Sequence, residues 1–543
     1  MLQGTSPLLA HRLQNASLLI LSLVFLPLDT FILLVSLVVG KVFPSKVLSN
    51  REAARHRDAS FTRRKVLVTG VGMTKGLALA RLFYEAGHDV IGADFEPDGA
   101  WACGRVSSAL GKFYRLEKPD AKAGAAPYIQ TLLDVVTKEK VELWISCSGV
   151  ASAVEDGMAK EVVEARTACK AVQFDVQTTQ TLHEKHAFMA HTKDVVGLTV
   201  PETHEVTSRE AVLDVLRAAA PHGRKYIMKT IGVDDAVRGD LTLLPKKCER
   251  ETAEHLAARL NISGDAPWIL QEFIQGREYC THALVVAGKV KAFVACPSAE
   301  LLMHYQSLPA ESPLSRAMLA FTQTYAASGG RGFTGHLSFD FMVREDQHGG
   351  KDGRGNVDPR DIVLYPIECN PRAHTAVVLF NGRTSTSIST AATAMVQAYL
   401  SIFEDVDNHH LNRTADSSID IVRPVAQDKY FWTGHDLVTL VLLPTLSLFP
   451  ALFSGLASVP VSRSGAPSST DSGIRASITH LTQNYTLFLH RLLTWRDGTY
   501  EPWDPLPWWW LYHVYWPVRF WACLRDGRKW SRINVSTAKM FEC

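Results

Sequence analysis

The nine cysteines contain no Cys-x-x-Cys pair, and their number is odd. That pattern argues against a cysteine-based structural zinc site and against a disulfide framework. A surplus of one charge is missing too. The 57 basic residues are matched by 55 acidic ones, so whole-chain charge leaves no footprint for nucleic acid. No internal repeat, coiled-coil heptad or Gly-x-Ser-x-Gly nucleophile elbow occurs. What remains is a chain of 543 residues, long enough for two or three domains and with the composition of a globular enzyme.

In one stretch the lack of charge has a positive meaning. Residues 16–39 hold no Lys or Arg and a single acid, Asp29, close to Pro27. The stretch is long enough to span a hydrocarbon core. A carboxylate at mid-bilayer costs about 2.5–3.5 kcal/mol or more, so two arrangements stand. One is a single span; the other is a monotopic hairpin of two short helices that lets Asp29 approach the headgroups. A cleaved signal peptide fits less well, because the run is long and no clear A-x-A site follows. Arg12 precedes the segment, whereas Lys41, Lys46, Arg51, Arg55, Arg57, Arg63, Arg64 and Lys65 follow it. The downstream chain is therefore expected on the cytosolic side of a membrane. This divides the start into a tail (1–15), a membrane segment (16–40) and a basic linker (41–63).

From Arg64 the pattern becomes α/β. Lys65–Gly70 reads as a buried strand, Gly76–Ala86 as a helix closed by Gly87, and His88–Asp94 as a second strand. The turn Gly70-x-Gly72 with Gly76, followed by Asp94, imitates a dinucleotide fingerprint, although its spacing is Gly-x-Gly-x-x-x-Gly. An NAD(P)-dependent oxidoreductase built on 65–94 is thus a rival reading. Leu143–Gly149 supplies a later strand and loop of the same domain, 64–172.

The most informative chemistry lies in Tyr365-Pro-Ile-Glu-Cys-Asn-Pro-Arg-Ala-His374, taken with Ser338-Phe-Asp-Phe341. Glu368 and Asn370 alternate onto one face of a strand. Asp340 sits in a second strand, Leu337–Val343, that ends at the polar loop 344–361. Paired antiparallel, the two strands would gather Asp340, Glu368 and Asn370 as hard oxygen ligands for Mg²⁺. Arg372 follows on the same face as a cation for a phosphoryl group. Upstream, Lys229 ends the strand Lys225–Lys229, and Gly232–Gly239 is a loop able to close over phosphates with Arg238. Trp268–Tyr279 reads as strand, tight turn at Gly276, and strand. Its hinge, Gln271, Glu272 and Ile274, can meet a purine through the backbone, while Glu278 can accept ribose hydroxyls. Lys185 opens a helical pattern and can reach the phosphates from the other side.

The series Lys185, Lys229, Gln271-Glu272, Glu278, Asp340, Glu368-x-Asn370-x-Arg372 resembles the ATP-grasp ligases. Within them the chain is similar to the ligase family that joins glycine to 4-deoxygadusol in forming mycosporine-glycine. The similar segments are Val71–Arg81, Tyr226–Lys229, Pro267–Gly276 with Cys280–His282, Leu337–Phe341, Ile367–His374 and Asp504–Pro507. The apolar stretch from Leu26-Pro-Leu-Asp29 onward is similar as well. The resemblance runs over residues 16–400 and resumes at 500–542; it departs at 345–361 and in 405–495, which looks enlarged. It implies an ATP-grasp fold: a Rossmann-like domain on the acceptor side, then two α+β lobes within 173–405 clasping ATP. It also implies ATP and Mg²⁺ (or Mn²⁺) as cofactors, and ADP-forming ligation of a small-molecule acid or enol to an amino acid. His282 and His374 are candidates for orienting the acceptor or taking the amine proton, with a structural role as the alternative.

Two further readings accompany this one. A ligase of another fungal natural-product route, such as the fumisoquin type, shares the chemistry. An ATP-binding protein without catalysis is the other, disfavoured because it would have no need of the metal trio. The last region, 406–543, carries a charge-free run, 437–461, interrupted by Pro444, Pro450 and Pro460, and a Ser/Gly/Pro linker at 462–476. Eight of the 12 tryptophans lie at or beyond Trp495. They suit either a membrane interface or the packing of a small terminal domain.

Overall fold

A computed structural model describes residues 2, 4–43, 47, 49, 51–52, 61–119, 122, 124–147, 149, 152–230, 242–298, 303–344, 358–381, 388–404, 421–424, 428–446 and 469–543. The first element, α1 (Leu8–Val42), is one helix that runs through Pro27. The hairpin of two short helices is therefore not formed. Packing along the length of α1 overrides the hydrogen bond that proline removes. By length and composition α1 could cross a membrane.

The domain that follows is a parallel sheet with helices on both faces. Its elements are β1 (Lys65–Thr69), α2 (Thr74–Glu85), β2 (Asp89–Asp94), β3 (Lys112–Arg115), α3 (Ala126–Glu139), β4 (Leu143–Ile145), α4 (Ala153–Arg166) and β5 (Lys170–Val172). The strand order is β3-β2-β1-β4-β5. Alternation along β1 explains its unbroken apolar run. Val66 and Val68 pack with Leu79 and Phe83 of α2, while Leu67 faces Leu132 and Val136 of α3 and Val163 of α4. Helix α2 begins two residues before the expected Gly76. A Cβ on Gly76 would lie 2.3 Å from the Gly70 carbonyl oxygen, so Gly76 allows a close approach inside the first turn.

Next come α5 (Val176–His183) and α6 (Lys185–Ala190). A small lobe then combines β6 (Thr203–Val206), α7 (Arg209–Ala219), β7 (Tyr226–Thr230), α8 (Glu249–Arg259) and β8 (Trp268–Glu272). Its sheet, β6-β8-β7, is antiparallel and shares a core with α7 and α8 through Val206, Val212, Leu216, Leu256 and Leu270. A larger lobe adds β9 (Gly276–Val286), β10 (Lys289–Pro297), β11 (His304–Gln306), α9 (Pro313–Ser328), β12 (Gly335–Arg344), β13 (Tyr365–Asn370) and α10 (Ile388–Leu400). Its main sheet runs β10-β9-β12-β13. A Rossmann-like domain followed by two α+β lobes is the order of domains expected from the sequence. Gly276 opens β9 instead of forming the turn. A Cβ there would meet the Val343 carbonyl oxygen at 1.9 Å, so β12 can pair with β9 at this point only against glycine.

The C-terminal region is more ordered than its composition suggests. After β14 (Lys429–Phe431) the chain is helical over 433–446, straight through Pro444. The expected linker at 462–476 is helical from residue 469, because α11 spans Ser469–Thr494; its earlier part lies outside the described residues. Then follow β15 (Arg496–Asp497), α12 (Leu506–Trp510), α13 (Trp516–Asp526), β16 (Trp530–Asn534) and β17 (Lys539–Glu542). Trp508, Trp516 and Trp530 are buried, and Trp503 stacks on Tyr84 of α2. Aromatic packing thus accounts for much of the tryptophan cluster, with Trp521 left exposed.

One ion pair ties this region to the first domain. Arg81 of α2 donates to Asp504 through Nε (2.9 Å) and to the Thr499 and Asp504 carbonyls through Nη1 and Nη2 (2.8 and 2.9 Å). Asp504 is fully buried and also accepts from the Ser107 hydroxyl and the Ser108 amide. Removing one partner leaves the other charge buried and uncompensated, whereas apolar replacement of both does not. Asp504→Ala should therefore cost about 3–5 kcal/mol. Arg81→Met with Asp504→Leu should recover part of that loss, read from denaturant unfolding of the three variants beside the parent chain.

Candidate active site

The metal-ligand candidates are brought together by sheet register. In the antiparallel pairing of β12 with β13, Asp340 stands opposite Glu368 and Ser338 opposite Asn370. Opposed residues of such a pair share a face, so three hard oxygen donors occupy one patch. The Asn370 amide donates to Asp340 Oδ2 at 3.2 Å, and Arg372 Nη1 donates to Asn370 Oδ1. Lys185, the first residue of α6, places Nζ 3.8 Å from Glu368 Oε2. Arg372 and Lys185 thus already bracket the acidic patch with fixed positive charge. The patch is only partly buried, which leaves its oxygens a route to solvent and ligands.

The other candidates are distributed as follows. Lys229 lies on β7 and donates to Gln271 Oε1 at 2.6 Å, inside the small lobe. Gln271 is buried and donates in turn to Thr203. At the hinge between the lobes, the Glu272 amide is committed to the Glu202 carbonyl and the Phe273 amide to the Lys225 carbonyl. Glu272 Oε1 accepts from Arg344 at 3.1 Å, and Ile274 is buried. Glu278 pairs with Met342 across β9 and β12 and accepts from the Ser298 hydroxyl at 2.7 Å. Arg238 and its loop lie outside the described residues.

His282 and His374 meet. The His374 amide donates to His282 Nδ1 at 3.3 Å, and the Ala376 amide to His374 Nδ1 at 3.2 Å. Burial and nearby cations hold both rings neutral, His374 at about 3 and His282 well below its usual range. Such weak bases suit orientation and not acceptance of an amine proton. His336 completes the group 5.5 Å from the His282 ring, bonded to the Tyr399 hydroxyl and likewise lowered to about 3 by burial.

Lys75 was passed over in the sequence, although it lies within the segment Val71–Arg81 on which the resemblance rests. It is buried in the first turn of α2, and its Nζ donates to the Ala373 carbonyl at 2.9 Å, one residue beyond Arg372. Burial, with a smaller contribution from Arg372, lowers its pKa to about 7 against the pull of Cys147, Asp156 and Asp94. The available signal was a lysine set among glycines and small apolar residues on a helix that reads as buried on all sides.

The dinucleotide crevice is closed. The Thr74 amide, at the start of α2, donates to the Ser536 carbonyl (2.9 Å), and the Thr74 hydroxyl accepts from the Trp432 indole (3.1 Å). Asp94 accepts from the Gly72 and Phe95 amides at 2.6 and 2.7 Å, so its carboxylate is spent on the loop instead of a ribose. The oxidoreductase reading therefore fails where its pyrophosphate and ribose would bind.

No protein-family model matches the chain, and no curated protein matches it. Among solved structures, it is similar to N5-carboxyaminoimidazole synthetase of Staphylococcus aureus with ADP, at 13% identity and a TM-score of 0.41. That similarity covers 62% of this chain and 77% of the other. An L-amino acid ligase of Bacillus licheniformis shows 12% identity and a TM-score of 0.40 over 63% and 77% of the two chains. The biotin carboxylase domain of Hydrogenobacter thermophilus 2-oxoglutarate carboxylase, with MgADP, shows 15% and 0.43 over 66% and 72%. All three TM-scores fall below 0.5, so the functional reading rests on the side chains.

A buried lysine with a lowered pKa makes stability depend on pH in a definite direction. Between about 7 and 10.5 the unfolded chain binds the proton that folded Lys75 has lost. Stability from this group should rise with pH across that window, by at most about 1.4 kcal/mol per unit. Lys75→Met should flatten the rise and leave the chain at least as stable as the parent at pH 7. Chemical denaturation at pH 7, 8 and 9 checks both statements.

Proposed function

We propose that this chain is an ADP-forming ATP-grasp ligase that activates a small-molecule acid or enol and joins it to an amino acid. The observation that carries the reading is the register of Asp340 against Glu368 and Ser338 against Asn370, with Arg372 and Lys185 at the edges of the same patch. Three oxygen donors of which two are carboxylates fit Mg²⁺, or Mn²⁺, better than any soft metal. When bound, that ion would be held by Asp340, Glu368 and Asn370 and would supply positive charge against the nucleotide phosphates. Lys185 and Arg372 supply the remaining positive charge, and Lys229 does so from the small lobe, with Arg238 as the further cation that the sequence offers.

Either a carboxylate or a vinylogous enolate holds its oxygen too tightly to be displaced by an amine. Transfer of the γ-phosphoryl group to that oxygen releases ADP and turns it into a leaving group. The amine then forms the carbon–nitrogen bond, phosphate departs, and one proton is lost from nitrogen. Catalysis is chiefly positioning and stabilisation of charge. Arg372, held through Asn370, faces the transferring group. Lys75, fixed to Ala373 next to it, is the basic group for the amine's proton, since a lysine near neutrality can accept one where the neutral histidines cannot. His282, His336 and His374 shape the acceptor side.

The mycosporine-glycine type is the substrate reading favoured here. It is supported by the resemblance across Ile367–His374, Cys280–His282 and Asp504–Pro507, and Asp504 is a residue on which the scaffold turns. A fumisoquin-type ligase would use the same site with a different acid.

The test is nucleotide turnover by the full chain in phosphatidylcholine nanodiscs, with Mg²⁺-ATP, a panel of amino acids, and 4-deoxygadusol in half the reactions. ADP should appear only when acid and amine are both present, and Asp340→Ala should lower the rate by roughly 10²–10³-fold or more. ADP release that needs another acid keeps the ligase and discards 4-deoxygadusol. AMP as product, or turnover that survives Asp340→Ala, overturns the mechanism.

A further inference from the structure

Helix α1 has a polar stripe at intervals of seven residues: Asn15, Ser22, Asp29 and Ser36. Two turns of helix separate successive members, so all four fall on one face. Each has a partner in the C-terminal region. The Trp530 indole donates to Asn15 Oδ1 at 2.9 Å. His513 lies between two members, with Nδ1 3.1 Å from the Ser22 hydroxyl and Nε2 2.8 Å from Asp29. Ser36 meets the Tyr500 hydroxyl at 2.7 Å, and beside Asp29 the Trp509 indole donates to Thr30 at 3.0 Å. The opposite face is apolar apart from Ser17, exposing Leu13, Ile20, Val24, Phe31, Val38 and their neighbours.

We propose that α1 lies lengthwise in one leaflet of a lipid bilayer, polar stripe on the protein and aliphatic face in the acyl layer, instead of crossing the membrane. The anchored stretch from Asn15 to Ser36 is about 32 Å long at 1.5 Å per residue, close to the full hydrocarbon thickness of about 30 Å. A spanning α1 would therefore pull everything bonded along it into the bilayer. Those partners cannot follow. Arg519 and Arg528, on and just after α13, are paired with Asp98 of the first domain, and α13 is the helix that packs along α1. A second copy of the chain is the less fitting occupant. Protein interfaces carry polar rims and hydrogen bonds, whereas this face offers little besides apolar side chains. Trp521, exposed on α13, supplies an indole of the kind that sits at headgroup depth.

The experiment labels cysteines introduced one at a time at Leu13, Val24, Phe31 and Val38 with a nitroxide, in full chains whose exposed Cys248 and Cys543 are replaced by serine, reconstituted into phosphatidylcholine/phosphatidylserine vesicles. Collision with oxygen and with a nickel chelate reads the depth of each label. A leaflet-lying helix puts all four at a similar shallow depth, roughly 5–10 Å below the headgroups. A profile deepest at Val24 and Phe31 and shallow at Leu13 and Val38 means a span and overturns the proposal. Labels out of reach of lipid, with spin–spin broadening between chains, mean a dimer face and overturn it equally. The labelled positions fall on the exposed face, so they leave the stripe and the ligase site untouched.

Discussion

The buried pair of Arg81 and Asp504 is the interaction on which the rest of the structure depends. It joins a helix near the start of the chain to a turn near its end, and it does so where water cannot replace either partner. Every donor of the guanidinium fork that forms these bonds is matched, and both carboxylate oxygens are used. A buried ion pair brings little net stability by itself, yet it penalises every arrangement that separates its members. Here that specificity locks the C-terminal region onto α2. Once α2 is fixed, Thr74 meets Ser536 and Trp432, and Lys75 meets Ala373. One helix thereby orients the acceptor side of the site, the strand end that carries Arg372, and the return of the chain's last strands.

The second constraint is sheet register. A slip of one residue between β12 and β13 would turn Asp340 away from Glu368 and Asn370 and put Phe339 in its place. The apolar residues on the other face of these strands prevent it, because Phe339 and Phe341 pack with Phe321 and Tyr325 of α9. The candidate ligand oxygens on one face are therefore held by aromatic packing on the other. The charges follow the same logic: carboxylates sit partly exposed on the sheet, while the cations come from elements that flank it.

Much of this was legible in the sequence where local pattern and tertiary need agree. The alternation around Asp340 and Glu368, the strands at 65–69 and 89–94, and the start of α6 at Lys185 all follow from spacing that folding does not overturn. Failures occurred where distant contacts decide. Pro27 and Pro444 look like helix breaks, but helices held along their length run through both. Lys75 gains its meaning only from Ala373, almost 300 residues later, whose carbonyl it meets. The glycine turn looks like a cofactor loop, because nothing local reveals that Ser536, more than 400 residues later, fills the helix terminus. The stripe on α1 carries no heptad signal, because its members are polar residues of three kinds, whereas heptads are marked by apolar ones.

The elements that hold α1 are the same ones that hold the active-site scaffold. Thr499 and Asp504 bind Arg81, while Tyr500, Trp509 and His513, within fifteen residues, bind α1. The proposed membrane helix and the candidate site therefore depend on one stretch of chain. A protein shortened to begin at Arg51 would lose more than an anchor. It would strip hydrogen-bond partners from the Trp530 indole and from both nitrogens of buried His513. Each such group costs about 1–3 kcal/mol when it stays buried without a partner. The alternative is rearrangement of the 500–513 turn, which would reach Arg81 through Asp504 and Lys75 through α2. The apolar helix is thus an integral layer of the fold, and on the proposed reading the candidate site is built on the membrane surface instead of tethered to it.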